Sequence, residues 1–350
     1  MLFRSGGLSD VLLLAKDKNM TYQDKTKTEN LFSVFEDNFR VTRLYADYLG
    51  SFPEIITPDM INAFTESGIE PEYAISALLS EFFALESENS ADGKRILRNY
   101  ILPSIRILDA KRYTENPYYK NIKLPDVKLG NWEFKNEAYA PYRAVICHDM
   151  ILNSDFSEIP PLGFFTERFE FPAVLEDGNE WMTLTPVDLD TSDYAIERAR
   201  GKVVTFGLGL GYFAYMASEK STVDSVTVVE KSEKVIELFE KYVLPQFAHK
   251  EKIRIVNADA FEYAEHTMPA ENFVFAFVDT WRDASDGAPM YEKMKKLEHL
   301  SPDTEFSYWI ENFLISNLRA KKLVDIREKY YSGALDMSFA DITKELKQIP

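Results

Sequence analysis

Cysteine is nearly absent from this chain. Cys147 is the only one among 350 residues, so no disulfide can close within the chain. This excludes a disulfide-stapled scaffold and fits a reducing compartment. Histidine is scarce too: the four, at 148, 249, 266 and 299, show no spacing that suits zinc, and no metal is expected. Long apolar runs are missing. Residues 11–15 make a five-residue run bounded by Asp10 and Lys16, too short for a signal-peptide core or a membrane span. Positive charge is in deficit, with 40 Lys and Arg against 57 Asp and Glu and a formal net charge of −17. A nucleic-acid binder normally carries a basic face, and none is visible. The expectation is a soluble cytoplasmic protein with neither nucleic acid nor membrane as partner.

What is present is ample apolar content, 45% of the chain, in a length suited to roughly two domains of about 100–200 residues. Residues 24–111 read as helical. Leu31, Val34, Phe35, Tyr45, Tyr48 and Leu49 fall near helical spacing, and Ile75, Leu78, Leu79, Phe82 and Phe83 form a second stripe. Thr57-Pro58-Asp59 is a helix start: a capping hydroxyl, a proline for the first turn, and an acid at the positive end of the dipole. Residues 112–165 lose periodicity and gain prolines and aromatics. A hairpin is expected next, with strands at 169–175 and 181–184 joined by Glu176-Asp177-Gly178-Asn179. A short helix over 192–200 follows.

From Lys202 strands and helices alternate: strands near 202–206, 226–230, 253–256, 273–278 and 306–310, with helices between and after them, including 289–300 and a long one from about 312. Alternation of this kind builds a parallel sheet with helices on both faces. After Ser332, only residues 334–339 suit a strand. The organisation expected is a helical N-terminal domain over 1–111, an aromatic-rich connector with a β-hairpin over 112–200, and a ligand-binding α/β domain over 201–350.

Ligands of such sheets bind at the carboxyl ends of the strands. The first strand runs into Gly207-Leu208-Gly209-Leu210-Gly211, where missing Cβ atoms let backbone approach a ligand and a helix N-terminus follows. The second ends in Glu230, placed for ribose hydroxyls. The third is followed by Asp259-Ala260, where the acid could accept from an adenine amino group. The fourth ends in Asp279-Thr280-Trp281. Three acids in register at strand ends point to a nucleoside pocket.

Over roughly residues 202–311 the chain resembles the class I S-adenosylmethionine-dependent methyltransferases. The resemblance implies a doubly wound, mostly parallel Rossmann-like sheet. It places Gly207, Gly209 and Gly211 along the methionine part of S-adenosyl-L-methionine, Glu230 on the ribose, and Asp259 with Ala260 at the adenine. The expected reaction is methyl transfer to an unidentified small-molecule acceptor, with Asp279 at the end of the fourth strand orienting or deprotonating it and Trp281, which follows that strand, beside the cation. Thr205 stands where the family often has an acid. Aminopropyltransferases of the spermidine synthase type share this fold, often lack that acid, and carry an aspartate at the place of Asp279. The hairpin with Asp177-Gly178 is similar to theirs. Their next residues are small, whereas this chain continues Thr280-Trp281-Arg282-Asp283. Aminopropyl transfer and donor binding without catalysis are therefore the alternatives.

Three further patterns compete. Gly209-Leu210-Gly211-Tyr212-Phe213-Ala214 fits the dinucleotide fingerprint, with Glu230 about 20 residues on, but a nicotinamide cofactor leaves Asp259 and Asp279 unexplained. Asn116-Pro117-Tyr118-Tyr119 imitates an amine-gripping motif, yet lies far ahead of the glycines and reads as a structural turn. Cys147-His148-Asp149 on a strand would point to alternate faces rather than converge. Trp181, Trp281 and the aromatics between Tyr113 and Tyr142 are expected in the core, with Trp281 the best placed to line a cationic site.

Overall fold

The computed structural model describes residues 20–85 and 91–349; the apolar run at 11–15 lies outside them. The chain enters through the helix Tyr22–Ser51, whose first turn is capped by the Thr21 side chain. The Thr57-Pro58-Asp59 signal starts the helix Pro58–Thr65, with Thr57 Oγ1 accepting from the Met60 amide. Pro71–Phe82 follows. These helices bury Val41, Tyr45, Ile61, Ile75 and Leu79 among themselves.

Nine strands come next: β1 (Ile105–Leu108), β2 (Val127–Leu129), β3 (Trp132–Tyr139), β4 (Ala144–Ile146), β5 (Ile151–Leu152), β6 (Glu158–Ile159), β7 (Leu162–Phe165), β8 (Phe169–Glu176) and β9 (Asn179–Thr183). β1 is a correction, since the sequence pattern reads as helix through residue 111. Ile105 and Leu108 are buried, and the strand pairs in parallel with β7, so long-range pairing overrides a local pattern too short to declare itself. β2, β3, β8 and β9 form an antiparallel sheet. Its expected hairpin is present: Asp177 and Gly178 both take positive φ (53° and 78°), the geometry of a turn that matches strand twist. The helix after it, Pro186–Arg198, begins six residues before the expected 192 because Thr185 and Asp188 form a reciprocal capping box.

β10 (Gly201–Phe206), β11 (Val223–Glu230), β12 (Ile253–Asn257), β13 (Phe275–Val278) and β14 (Glu305–Tyr308) make one sheet in the order β12-β11-β10-β13-β14, parallel throughout. The strand order reverses between β10 and β13, and this is where a crevice opens at the carboxyl ends. The helix after β13 is Ala284–Lys295, starting ahead of the expected 289. Asp283 and Asp286 form a capping box, and Pro289 lies inside the helix.

No strand forms over residues 334–339. Phe339 opens the helix Phe339–Lys347, which is capped by Ser338. This helix and Glu311–Tyr331 pack Leu323, Ile326, Ile342 and Leu346 against Leu31, Phe32 and Phe35 of the first helix. A further core joins the hairpin sheet to the parallel sheet through Trp132, Phe134 and Phe169 on one side and Leu210, Tyr212 and Phe213 on the other. No helix among the described residues is long and apolar enough to cross a membrane.

Candidate functional site

The glycine turn closes the top of β10. Gly207, Gly209 and Gly211 all take positive φ (95°, 52° and 76°), where a side chain is strained. Each also has a neighbour that a Cβ would strike: the Asp279 carbonyl oxygen at Gly207, the Met182 thioether at Gly209, and the Phe239 ring at Gly211. Protein atoms thus already exploit the missing side chains. Phe239 is aimed there by a π turn over Phe239–Val243 in the helix after β11. The main chain is tied down as well. The Gly207 amide donates to the Val229 carbonyl at 2.9 Å, and the Asp279 amide to the Phe206 carbonyl at 2.8 Å.

The Asn116-Pro117-Tyr118-Tyr119 pattern proves to be a clamp on this turn. Asn116 caps the helix Pro117–Asn121. The Tyr118 hydroxyl donates to the Leu210 carbonyl, and the Asn116 amide donates to the Tyr212 hydroxyl at 3.0 Å.

The strand-end acids divide into two kinds. Glu230 is buried, and both its oxygens hold backbone. Oε2 accepts from the Leu208 amide at 3.1 Å and Oε1 from the Ser232 amide at 2.8 Å. It therefore links the glycine turn to the next helix; ribose hydroxyls would have to share its remaining lone pairs. Asp259 is exposed and caps the helix Ala260–His266, its Oδ1 accepting from the Phe261 and Glu262 amides at 2.9 and 3.2 Å. Ala260 is the buried first residue of that helix.

Asp279 differs. Among the described residues no hydrogen bond reaches its carboxylate. Desolvation first, then the neighbouring charges of Asp188 and Glu230, push its pKa up to about 8. Asp188 was not singled out by the sequence pattern. Burial raises it to about 6, and its Oδ2 accepts from the Thr185 amide and hydroxyl at 2.7 and 2.9 Å.

Asp279 and Asp188 line one crevice together with Met182, Leu184, Thr205 and Tyr212, and Trp309 forms a further wall. About 30 Å³ of it is open to the centre of a water molecule. No basic residue is among the described residues lining it. Thr205, at the place where an acid was absent, is buried in its wall. A crevice with two carboxyl groups, four aromatic side chains (Tyr212, Phe213, Phe277 and Trp309) and no basic residue in its lining is complementary to a cationic guest.

Trp281 is not part of this crevice. It is buried against Gly287 and Leu314 and stacks on Tyr308 with ring centroids 6.4 Å apart; its indole N–H has no partner among the described residues. Trp309, at the end of the next strand, β14, is the tryptophan that lines the site. Ile310 directly after it holds φ 47°, a left-handed conformation that costs a β-branched residue on the order of 1–3 kcal/mol. That residue turns β14 straight into the helix Glu311–Tyr331.

The other aromatic candidates serve packing. Trp181 meets Trp132 edge-on with centroids 5.2 Å apart, and Tyr113 donates to Asp190 at 2.9 Å. Cys147 is buried, and burial pushes its thiol up to about 12, away from nucleophilic use. Asp149 caps the helix Glu311–Tyr331 by accepting from the Asn312 and Phe313 amides at 2.9 and 3.0 Å. No cluster of three or more metal-ligating side chains is found among the described residues.

No family model and no curated protein matches the chain. Among solved structures it is similar to a spermidine synthase from Thermotoga maritima, at 16% identity and a TM-score of 0.31 over 44% of this chain and 59% of that one. It is likewise similar to a spermidine synthase in complex with the transition state analogue AdoDATO, at 17% identity and a TM-score of 0.30 over 44% and 58%. The chain thus spans somewhat under three-fifths of the length of these proteins.

Proposed function

We propose that the chain binds an S-adenosyl sulfonium compound across the carboxyl ends of β10, β11 and β12 and transfers an alkyl group from it to a small amine held in the Asp279–Asp188 crevice. The observation that carries this reading is the crevice at the point where the strand order reverses. It offers two half-buried carboxyl groups with no basic residue lining the crevice beside them, next to Tyr212 and Trp309. Sulfonium and ammonium groups supply the missing charge.

In the proposed step the acceptor nitrogen attacks the carbon on sulfur. The N–C bond forms as the C–S bond breaks, and sulfur keeps the electron pair as a neutral thioether. Asp279, with its pKa near 8, takes the proton that the amine gives up. The donor is intrinsically reactive, so alignment contributes most; it can supply on the order of 7–11 kcal/mol.

The transferred group is methyl or aminopropyl, and one observation favours aminopropyl. Intact S-adenosylmethionine would bring its own carboxylate toward Asp279 and Asp188, with no basic side chain lining the crevice to receive it. A decarboxylated donor avoids that repulsion.

Titration calorimetry with S-adenosylmethionine, its decarboxylated form and NAD tests the reading. Binding of the sulfonium compounds, tighter for the decarboxylated one, is the expected result. Binding of NAD alone overturns it.

A further inference from the structure

We propose that Met182 is a positioning residue that decides whether the glycine turn and the acidic crevice act as one site. This rests on the adenosyl reading above and says which side chain governs it. Met182 belongs to β9, outside the parallel sheet, yet its thioether lies directly over Gly209. The methyl carbon and sulfur are the atoms a Cβ at Gly209 would strike, and no atom of any other residue is nearer to that place. The same side chain lines the crevice that holds Asp279 and Asp188. Met182 is therefore the partition between the surface over the glycines and the two carboxylates.

The size of the crevice gives the partition a consequence. With about 30 Å³ open to water centres, it has room for part of an amine and none for a nucleoside. A molecule whose ribose lies at Glu230 and whose sulfur lies near Asp279 must run along the glycine turn, where the thioether covers Gly209. Main chain at that place would be costly to move, because the turn is pinned through Glu230 and Tyr118. An unbranched methionine side chain is not, having three rotatable bonds and an adaptable, polarizable sulfur. β9 is also lightly held: it pairs only with β8, that pairing slips register at Val174/Leu175, and its outer end is exposed. Adenosyl ligands must therefore displace Met182, whereas a diamine that reaches only the carboxylates need not. The apparent affinity for the former is reduced by the fraction of time the thioether covers the turn.

Calorimetric titration of wild type, Met182→Ala and Met182→Leu with two probes, 5′-methylthioadenosine and putrescine, tests this, with a thermal melt of each protein to establish folding. Met182→Ala is expected to bind 5′-methylthioadenosine about tenfold more tightly, with a markedly smaller change for putrescine. Met182→Leu, which restores bulk over Gly209, stays within about twofold of wild type for both. A folded Met182→Ala with unchanged or weaker nucleoside affinity overturns the proposal. So does a parallel change for both probes, which would mark a structural effect. If wild type and both folded variants bind no adenosyl compound at all, the adenosyl reading falls and the partition with it; binding by wild type with no gain in Met182→Ala removes the partition alone.

Discussion

The two halves of the sheet carry acids at or near the carboxyl ends of its strands and use them in opposite ways. On the β11–β12 side, Glu230 and Asp259 are engaged by backbone amides, four hydrogen bonds in all. On the β10–β13 side, no hydrogen bond reaches the Asp279 carboxyl among the described residues, and Asp188 accepts two, both from Thr185 and both on one oxygen. An acid at a strand end is thus not in itself a ligand-binding group. The backbone already has amides to satisfy there, and an acid that satisfies them is doing structural work. An acid held in a partly desolvated crevice without a hydrogen-bond partner has the free energy of its ionised form raised. Such a cost persists in a fold where function compensates it.

Asp279→Asn tests the free side and should have the largest effect. Transfer is expected to fall by roughly 10²–10⁴-fold in single-turnover measurements while the fold persists. The same variant reports the cost of burying the acid. The folded-state pKa of Asp279 lies above its ordinary value of 3.8, at about 8, so the native state retains a proton that the unfolded chain releases. Stability contributed by that protonation is complete below pH 4 and lost as pH rises through about 8. Melting of wild type should therefore fall over that window, and Asp279→Asn should flatten the decline. Equal slopes for both proteins would show that Asp279 does not carry the buried proton.

On the engaged side, Glu230→Ala should be next in size. Removing an ionised acceptor from two amides, one of them buried, is expected to cost about 2–4 kcal/mol in urea unfolding. A loss of ligand affinity without loss of stability would turn the comparison around and make Glu230 a ligand group first. Asp259→Ala should be smallest, near the 1 kcal/mol typical of a helix cap. Donor affinity measured on the same variant assigns the outer end of the site. A several-fold loss keeps Asp259 at the adenine, and an unchanged value leaves it only as a cap.

How far this division could be read in the sequence depends on the range of the forces behind it. The five parallel strands were legible because each is a short apolar run ending in a polar punctuation, and the hairpin because Asp177-Gly178 specifies its turn locally. Glu230, Asp259 and Asp279 were legible as strand ends, but not which of them would be free. That depends on where the Leu208, Ser232, Phe261 and Glu262 amides point after folding. Asp188 was hidden because, in sequence, it is an ordinary capping-box acid; only the packing of its helix against the helix Tyr212–Ser218 brings it into the crevice with Asp279. Trp281 and Trp309 look alike in the sequence as aromatics near strand ends. The burial of one against Gly287 and Leu314, and the left-handed Ile310 beside the other, separate them. β1 was missed because four residues paired to a strand more than fifty positions away leave no local periodicity.

The central claim is that Asp279, which holds its proton until a cation arrives, and Asp188 beside it form an acidic pair that a cationic ligand completes. Calorimetric titration of decarboxylated S-adenosylmethionine at pH 7.5 in buffers of different ionisation enthalpy tests it most directly. Entry of the cation should drive a net release of protons from the protein, abolished in Asp279→Asn. Binding with no proton release, or with release undiminished in that variant, would contradict the account.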